Sequence, residues 1–156
     1  MNNHQKFMKL AIDLSIQNIK KNGGPFGAVI VKNGEIISAT ANSVTIDNDP
    51  TAHAEINAIR QAAQKLNTFD LSGCDIYSSC EPCPMCLGAI YWSRLNNLYF
   101  ANDKKDAKAI GFDDSFIYDE IEKPIEKRKI KTTQLMRKEA LEAFKLWDVF
   151  EGKTEY

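Results

Sequence analysis

His53 and Glu55 stand two residues apart in "TAHAE", and Cys83 and Cys86 stand three apart in "SSCEPCPMC", residues 78–86. One imidazole and two thiolates make three of the four ligands of a tetrahedral Zn²⁺. A three-ligand site keeps an open position for water, as catalytic rather than structural zinc does. Zinc lowers the pKa of such a water and turns it into a nucleophile near neutral pH. A carboxylate beside it, Glu55, can take the water's proton and deliver it to a substrate ring and leaving group. Zinc is therefore the expected cofactor, one ion per subunit, since a thiolate-rich donor set disfavours harder cations.

The spacing also says where these residues must sit. In a helix interior, residues two apart point in different directions. His53 and Glu55 can serve one centre only at a first turn, where both reach off the helix end. Residues three apart in a first turn share a face, and a helix N-terminus favours thiolates, which suits Cys83 and Cys86. Cys80 offers a fourth ligand, which would close the site as a structural module without enzymatic activity. That reading leaves Glu55 without a task, and a chain of 156 residues needs no zinc staple. Cys80 is better read as a buried residue at a strand end.

The elements that must position the site follow from periodicity and turn residues. Phe7, Leu10, Ala11, Leu14 and Ile19 mark one face of a helix over 4–21, ended by Asn22-Gly23-Gly24-Pro25. A strand over 26–32, the turn pair Asn33-Gly34 and a strand over 35–42 read as a hairpin. A polar loop over 43–51 leads to a helix over 52–66 that carries His53 and Glu55. A strand over 74–78 precedes the cysteine loop, and Pro84 suits the first turn of a helix reaching Ser93. Strands over 97–101 and 129–135, a helix-like stretch over 113–121 and an amphipathic helix over 137–150 complete the chain. Helices between the later strands imply crossovers, so one α/β domain over 1–156 is expected. Its sheet is mixed, with about five strands, and covered on both faces.

Composition excludes several classes. A hydrophobic fraction of 44% and a charged fraction of 26% are ordinary for a globular protein, which excludes disordered or collagenous chains. A net charge of -1 attracts neither nucleic acid nor an anionic membrane. No apolar run approaches the roughly 18 residues of a membrane span. The start Met1-Asn2-Asn3-His4-Gln5-Lys6 lacks the apolar core of a secretory signal, so a cytoplasmic location is expected. In a reducing compartment, clustered thiols bind metal or do chemistry more often than they pair.

His-x-Glu followed by Pro-Cys-x-x-Cys is the signature of zinc-dependent nucleobase deaminases. Beyond it, the chain resembles the bacterial guanine deaminases of the cytidine-deaminase-like superfamily. The segments that carry the likeness are "GGPFGAVIV", "NDPTAHAE", "SCEPCPMCLGAIYW", "GFDDSFIY" and the terminal "EY". The zinc motif identifies the superfamily, whereas "GFDDSFIY" and the last tyrosine are particular to the guanine enzymes. The resemblance implies hydrolytic deamination of guanine to xanthine and ammonia. It also implies a three-layer α/β/α fold and a homodimer that exchanges C-terminal segments.

Carried over position by position, the resemblance makes His53, Cys83 and Cys86 zinc ligands and Glu55 the proton shuttle. Phe26 matches an aromatic that packs on the base, although a core residue of the first strand reads equally well. Asn42 matches a contact to the purine edge, and as a plain sequence feature it is a strand-ending turn asparagine. Asp114 matches a position near the substrate, either accepting a ring N–H or assisting proton transfer. Its neighbour Asp113 reads as a helix cap, and sequence leaves the two exchangeable. Tyr156 matches a lid from the partner subunit, against the usual fate of a chain end. Tyr91 and Trp92 read as core or interface residues.

The competing substrate is a tRNA adenosine, since those deaminases share His-x-Glu and Pro-Cys-x-Met-Cys. That substrate calls for a basic surface. Lys127, Arg128, Lys129, Lys131, Arg137 and Lys138 do cluster, but Glu120, Glu122, Glu126 and Glu139 interleave with them. A solvated, mixed-charge face is the reading that fits, and it argues against nucleic acid.

Overall fold

Ala28, Val29, Ile30 and Val31 are all buried, which a strand achieves only when both faces of its sheet are covered. Ala28 and Ile30 face one core, with Ala54, Ala58, Ala62, Ile76 and Ile90. Val29 and Val31 face the other, with Phe7, Ala11 and Tyr77. The period-2 alternation of a strand thus divides the interior into two layers. The computed structural model describes residues 2–156.

Helix α1 (Asn3–Ile19) opens on a capping box in which Asn2 and Gln5 exchange side-chain and backbone bonds. Strands β1 (Gly27–Lys32) and β2 (Glu35–Ala41) form the expected hairpin. Asn33 and Gly34 both take positive φ, 52° and 82°, as a two-residue turn matched to strand twist requires. A bulge between Ile30 and Val31 shifts the register. The loop expected over 43–51 contains a one-turn helix, α2 (Val44–Asp47). Helix α3 (Ala54–Leu66), strand β3 (Cys74–Cys80), helix α4 (Pro84–Trp92), strand β4 (Asn97–Asn102) and helix α5 (Lys104–Ala109) follow.

The sheet order is β2-β1-β3-β4, antiparallel except for the β3–β4 pair, which α4 links as a crossover. Helix α1 covers one face, and α3 with α4 covers the other, which gives the α/β/α layering. Ile30 and Ile76 are fully buried between the layers, and truncating either to Ala would cost about 2–5 kcal/mol.

Among the described residues the sheet has four strands, not five. The stretch 129–135 forms no strand. Its apolar residues, Ile130 and Leu135, lie an odd number of positions apart and would point to opposite faces, so neither face could be covered. Both side chains are exposed.

Two compact units divide the chain, residues up to Ser115 and Phe116–Tyr156. The first holds the sheet. The second holds most of α6 (Ser115–Glu122), a 3-10 turn (Ile125–Lys127) and α7 (Arg137–Val149). Helix α7 forms where the apolar pattern placed it, yet Phe144, Leu146 and Val149 are exposed in the single chain. Tyr91 and Trp92 are exposed as well, which removes them from the core. Among the described residues, no helix is long and apolar enough to cross a membrane.

Candidate metal centre

The register of the sheet gathers the site at one end. Gly27 pairs with Ala41, and Ala28 pairs with Ser78. The start of β1, the end of β2 and the end of β3 are therefore level, so Phe26, Asn42 and the cysteine loop emerge together. Cys80 pairs with Asn102, which brings the end of β4 to the same edge.

His53 and Cys83 are the N-cap residues of α3 and α4, both with extended backbone and neither making a side-chain cap bond. Ser, Thr, Asp or Asn at an N-cap is worth about 0.5–2 kcal/mol over residues that cannot cap. Two helices that forgo this, with their N-termini directed at one point, indicate that the side chains serve something else. Asp49 holds the approach to His53: its Oδ1 accepts from the Thr51 N–H and hydroxyl, each at 2.7 Å.

The geometry fits zinc. His53 Nδ1 lies 3.6 Å from Cys83 Sγ and 3.4 Å from Cys86 Sγ, and all three ligand atoms fall within 4.8 Å of one another. Donors about 2.0–2.3 Å from a tetrahedral centre stand roughly 3.3–3.8 Å apart. The Cys83 thiol is pulled down to about 4, first by the Cys86 side chain and then by His53. Cys86 is pushed up, by its bond to Cys83 and by burial. His53 is raised by its bond to Cys83. These shifts describe a donor cluster sharing protons where a cation would replace them.

Cys80 stands apart from that cluster. It is buried at the end of β3, with its thiol 3.7 Å from the Asp103 carbonyl oxygen. Burial pushes it up to about 11, the behaviour of an inert structural thiol.

Glu55 is buried in the first turn of α3. Its Oε1 accepts from the Ser78 hydroxyl at 2.9 Å, and its Oε2 lies 3.5 Å from Cys86 Sγ. Burial raises its pKa, and the Ser78 bond opposes the rise. A carboxyl so placed can both accept and return a proton. Ser78 was not legible as a site residue: it reads as one more residue of a buried strand.

Asn42 is also buried, and its Oδ1 accepts from the Val44 N–H at 3.2 Å. A backbone N–H pairs only with the oxygen, so the orientation of the amide is set and its NH₂ remains as a donor. The Phe26 ring packs edge-on against Phe112 with centroids 5.0 Å apart. Asp113 and Asp114 divide clearly. Asp113 is exposed and accepts from the Ser115 N–H and hydroxyl, with Lys108 Nζ at 2.9 Å, and these partners hold it down at about 2. Asp114 is half-buried, raised first by that burial and then by the neighbouring Cys83. Tyr156 ends the second unit and is exposed.

Comparison with known proteins agrees with this centre. Residues 1–102 match the model of the cytidine and deoxycytidylate deaminase zinc-binding region. The chain is 52% identical over 155 residues to a guanine deaminase of Bacillus subtilis, covering 99% of both. An X-ray structure of guanine deaminase from Bacillus subtilis superposes with a TM-score of 0.96 over 100% of this chain and 99% of that one. A tRNA-specific adenosine deaminase of Aquifex aeolicus is 39% identical over 137 residues, 87% of each chain.

Proposed function

This chain belongs to the family of the cytidine and deoxycytidylate deaminase zinc-binding region, and from that premise we propose that it hydrolyses guanine to xanthine and ammonia. The observation that carries the reading is the end-to-end likeness to a guanine deaminase, which extends well past the zinc-binding region to the last residues.

His53, Cys83 and Cys86 would hold the zinc. Once bound, zinc supplies Lewis-acid activation of the attacking water. The remaining chemistry belongs to the chain. Glu55 takes the water's proton as the oxygen bonds to the carbon bearing the amine. It passes that proton to a ring nitrogen and then carries the second proton, from the added hydroxyl, to the departing nitrogen, so the C–N bond breaks with loss of neutral ammonia as the C=O forms. Ser78 holds one carboxylate oxygen of Glu55, leaving the other toward the metal ligands. The Asn42 NH₂ donates to an acceptor on the purine edge, and Phe26 packs on the base. Asp114, rather than the fully engaged Asp113, faces the substrate, where it accepts a ring N–H.

The active form is a homodimer of cytoplasmic subunits that exchange their C-terminal segments, each with one deaminase domain and one zinc. Tyr156 then closes the partner's site. The exposed apolar side chains of α7, with those of Tyr91 and Trp92, supply surface for such an assembly. A small base benefits from a lid that excludes water.

The test is ammonia release by the zinc-loaded protein from guanine, adenine, cytosine, cytidine and an anticodon-stem RNA in parallel. Guanine is expected to be the preferred substrate by at least about a hundredfold in kcat/KM. Preference for the RNA would replace this reading with tRNA adenosine deamination.

A further inference from the structure

Asn18 lies near the end of α1, outside the segments that carry the site, and it is buried. Its side-chain NH₂ donates to the carbonyl oxygens of Gly24 at 2.8 Å and Asn42 at 2.7 Å. Both hydrogens of one amide are thus spent on two segments that lead to Phe26 and Asn42. Each carbonyl belongs to the immediate frame of a base-contacting residue. Gly24 O also accepts from the Phe26 N–H at 2.8 Å, and Phe26 O accepts from the Asn42 N–H at 3.0 Å. The four residues form one hydrogen-bonded frame.

Gly23 is part of the same device. A Cβ at this position would lie 2.3 Å from the Asn18 side-chain nitrogen. Gly23 has no positive φ, so the glycine is there for space and not for backbone freedom. Its N–H donates to the Asn18 carbonyl oxygen at 3.0 Å, which folds the loop over the asparagine. At Gly24, an added Cβ would come within 3.0 Å of Asn42 Oδ1. The Gly-Gly step therefore accommodates two asparagine side chains, one behind the other.

We propose that Asn18 is a positioning residue for base recognition, setting the separation of Phe26 and Asn42 by holding the carbonyls of Gly24 and Asn42 on a single amide. The proposal rests on the reading that Asn42 and Phe26 bind the purine. Asn18 touches no substrate and acts through its neighbours, so its removal should weaken binding while leaving the metal and Glu55 in place.

The test uses zinc-loaded N18A, N42A and the double variant, with guanine kinetics and zinc content measured on each. N18A should raise KM about tenfold and change kcat less than about threefold, with zinc unchanged. In the N42A background the same change should add less than it does alone, because part of its effect runs through the Asn42 contact. If N18A does not fold, G23A carries the test, since its new methyl displaces the Asn18 amide and should raise KM in the same way. Unchanged KM in N18A or G23A would overturn the proposal, as would a full additive effect in the double variant. Unchanged KM in N42A would instead overturn the base-contact reading itself, and the inference with it.

Discussion

The Ser78 hydroxyl donates to Glu55 Oε1 at 2.9 Å while Oε2 of the same carboxyl lies 3.5 Å from Cys86 Sγ. Strand β3 and helix α3 thereby fix the rotation of one buried carboxyl, with one oxygen anchored and the other toward the metal ligands. E55Q keeps the shape and loses the base. It should retain zinc and lower kcat by about 100- to 10,000-fold. S78A should lower kcat/KM about tenfold. The Ser78 bond favours the carboxylate, so its loss raises the pKa of Glu55 further. Because the carboxylate is the form that accepts the water's proton, the acid limb of the kcat/KM profile should move to higher pH in S78A. A profile that stays in place would remove Ser78 from the mechanism.

The three thiols of residues 80–86 should separate by metal analysis. C83A and C86A each remove a donor from the cluster and should lose most of the bound zinc together with activity. C80A should keep one zinc per chain and turn over guanine, with a stability loss of about 1–2 kcal/mol from the vacated volume. Loss of zinc from C80A would mean a closed, structural site.

Asp113 and Asp114 make a sharper pair than their sequence suggests. Asp113 is committed to Ser115 and Lys108, so D113N should perturb the turn before α6 and leave guanine turnover within about threefold of wild type. D114N should lower kcat/KM by about tenfold or more. Kinetics in the reverse order would exchange their roles.

Tyr156 tests the assembly. Deleting it should lower guanine turnover at full zinc content. Mixing the deletion variant with E55Q should raise activity above the mean of the two after subunit exchange, because a heterodimer then contains one site with both groups. Absence of any recovery, with exchange confirmed by mass, would place Tyr156 in its own chain's site.

Much of this was legible because local chemistry and fold agree. Asn33-Gly34 forms the turn its residues demand, and Pro84 opens α4. His53 and Cys83 occupy helix starts, as spacings of two and three required of a shared centre. Other features left no such trace. Helix α5 has too few apolar residues to show a period, although its capping box at Asp103 and Asp106 was a usable signal. The stretch 129–135 has β-branched residues but no face to bury, and propensity without a covered face does not make a strand. Asn18 was invisible because its partner Asn42 lies 24 residues away, a relation only the packing of α1 beside β2 creates. The burial that raises Glu55, likewise, is a property of the packed sheet and not of the His-x-Glu motif.

The most direct measurement is mass analysis of the product formed from guanine in ¹⁸O-labelled water by the zinc-loaded protein. Hydrolytic deamination predicts xanthine carrying one labelled oxygen, with one ammonia released for each molecule formed and at least about a hundredfold slower release from E55Q. Guanine recovered unchanged, or xanthine without the label, would contradict the account at its centre.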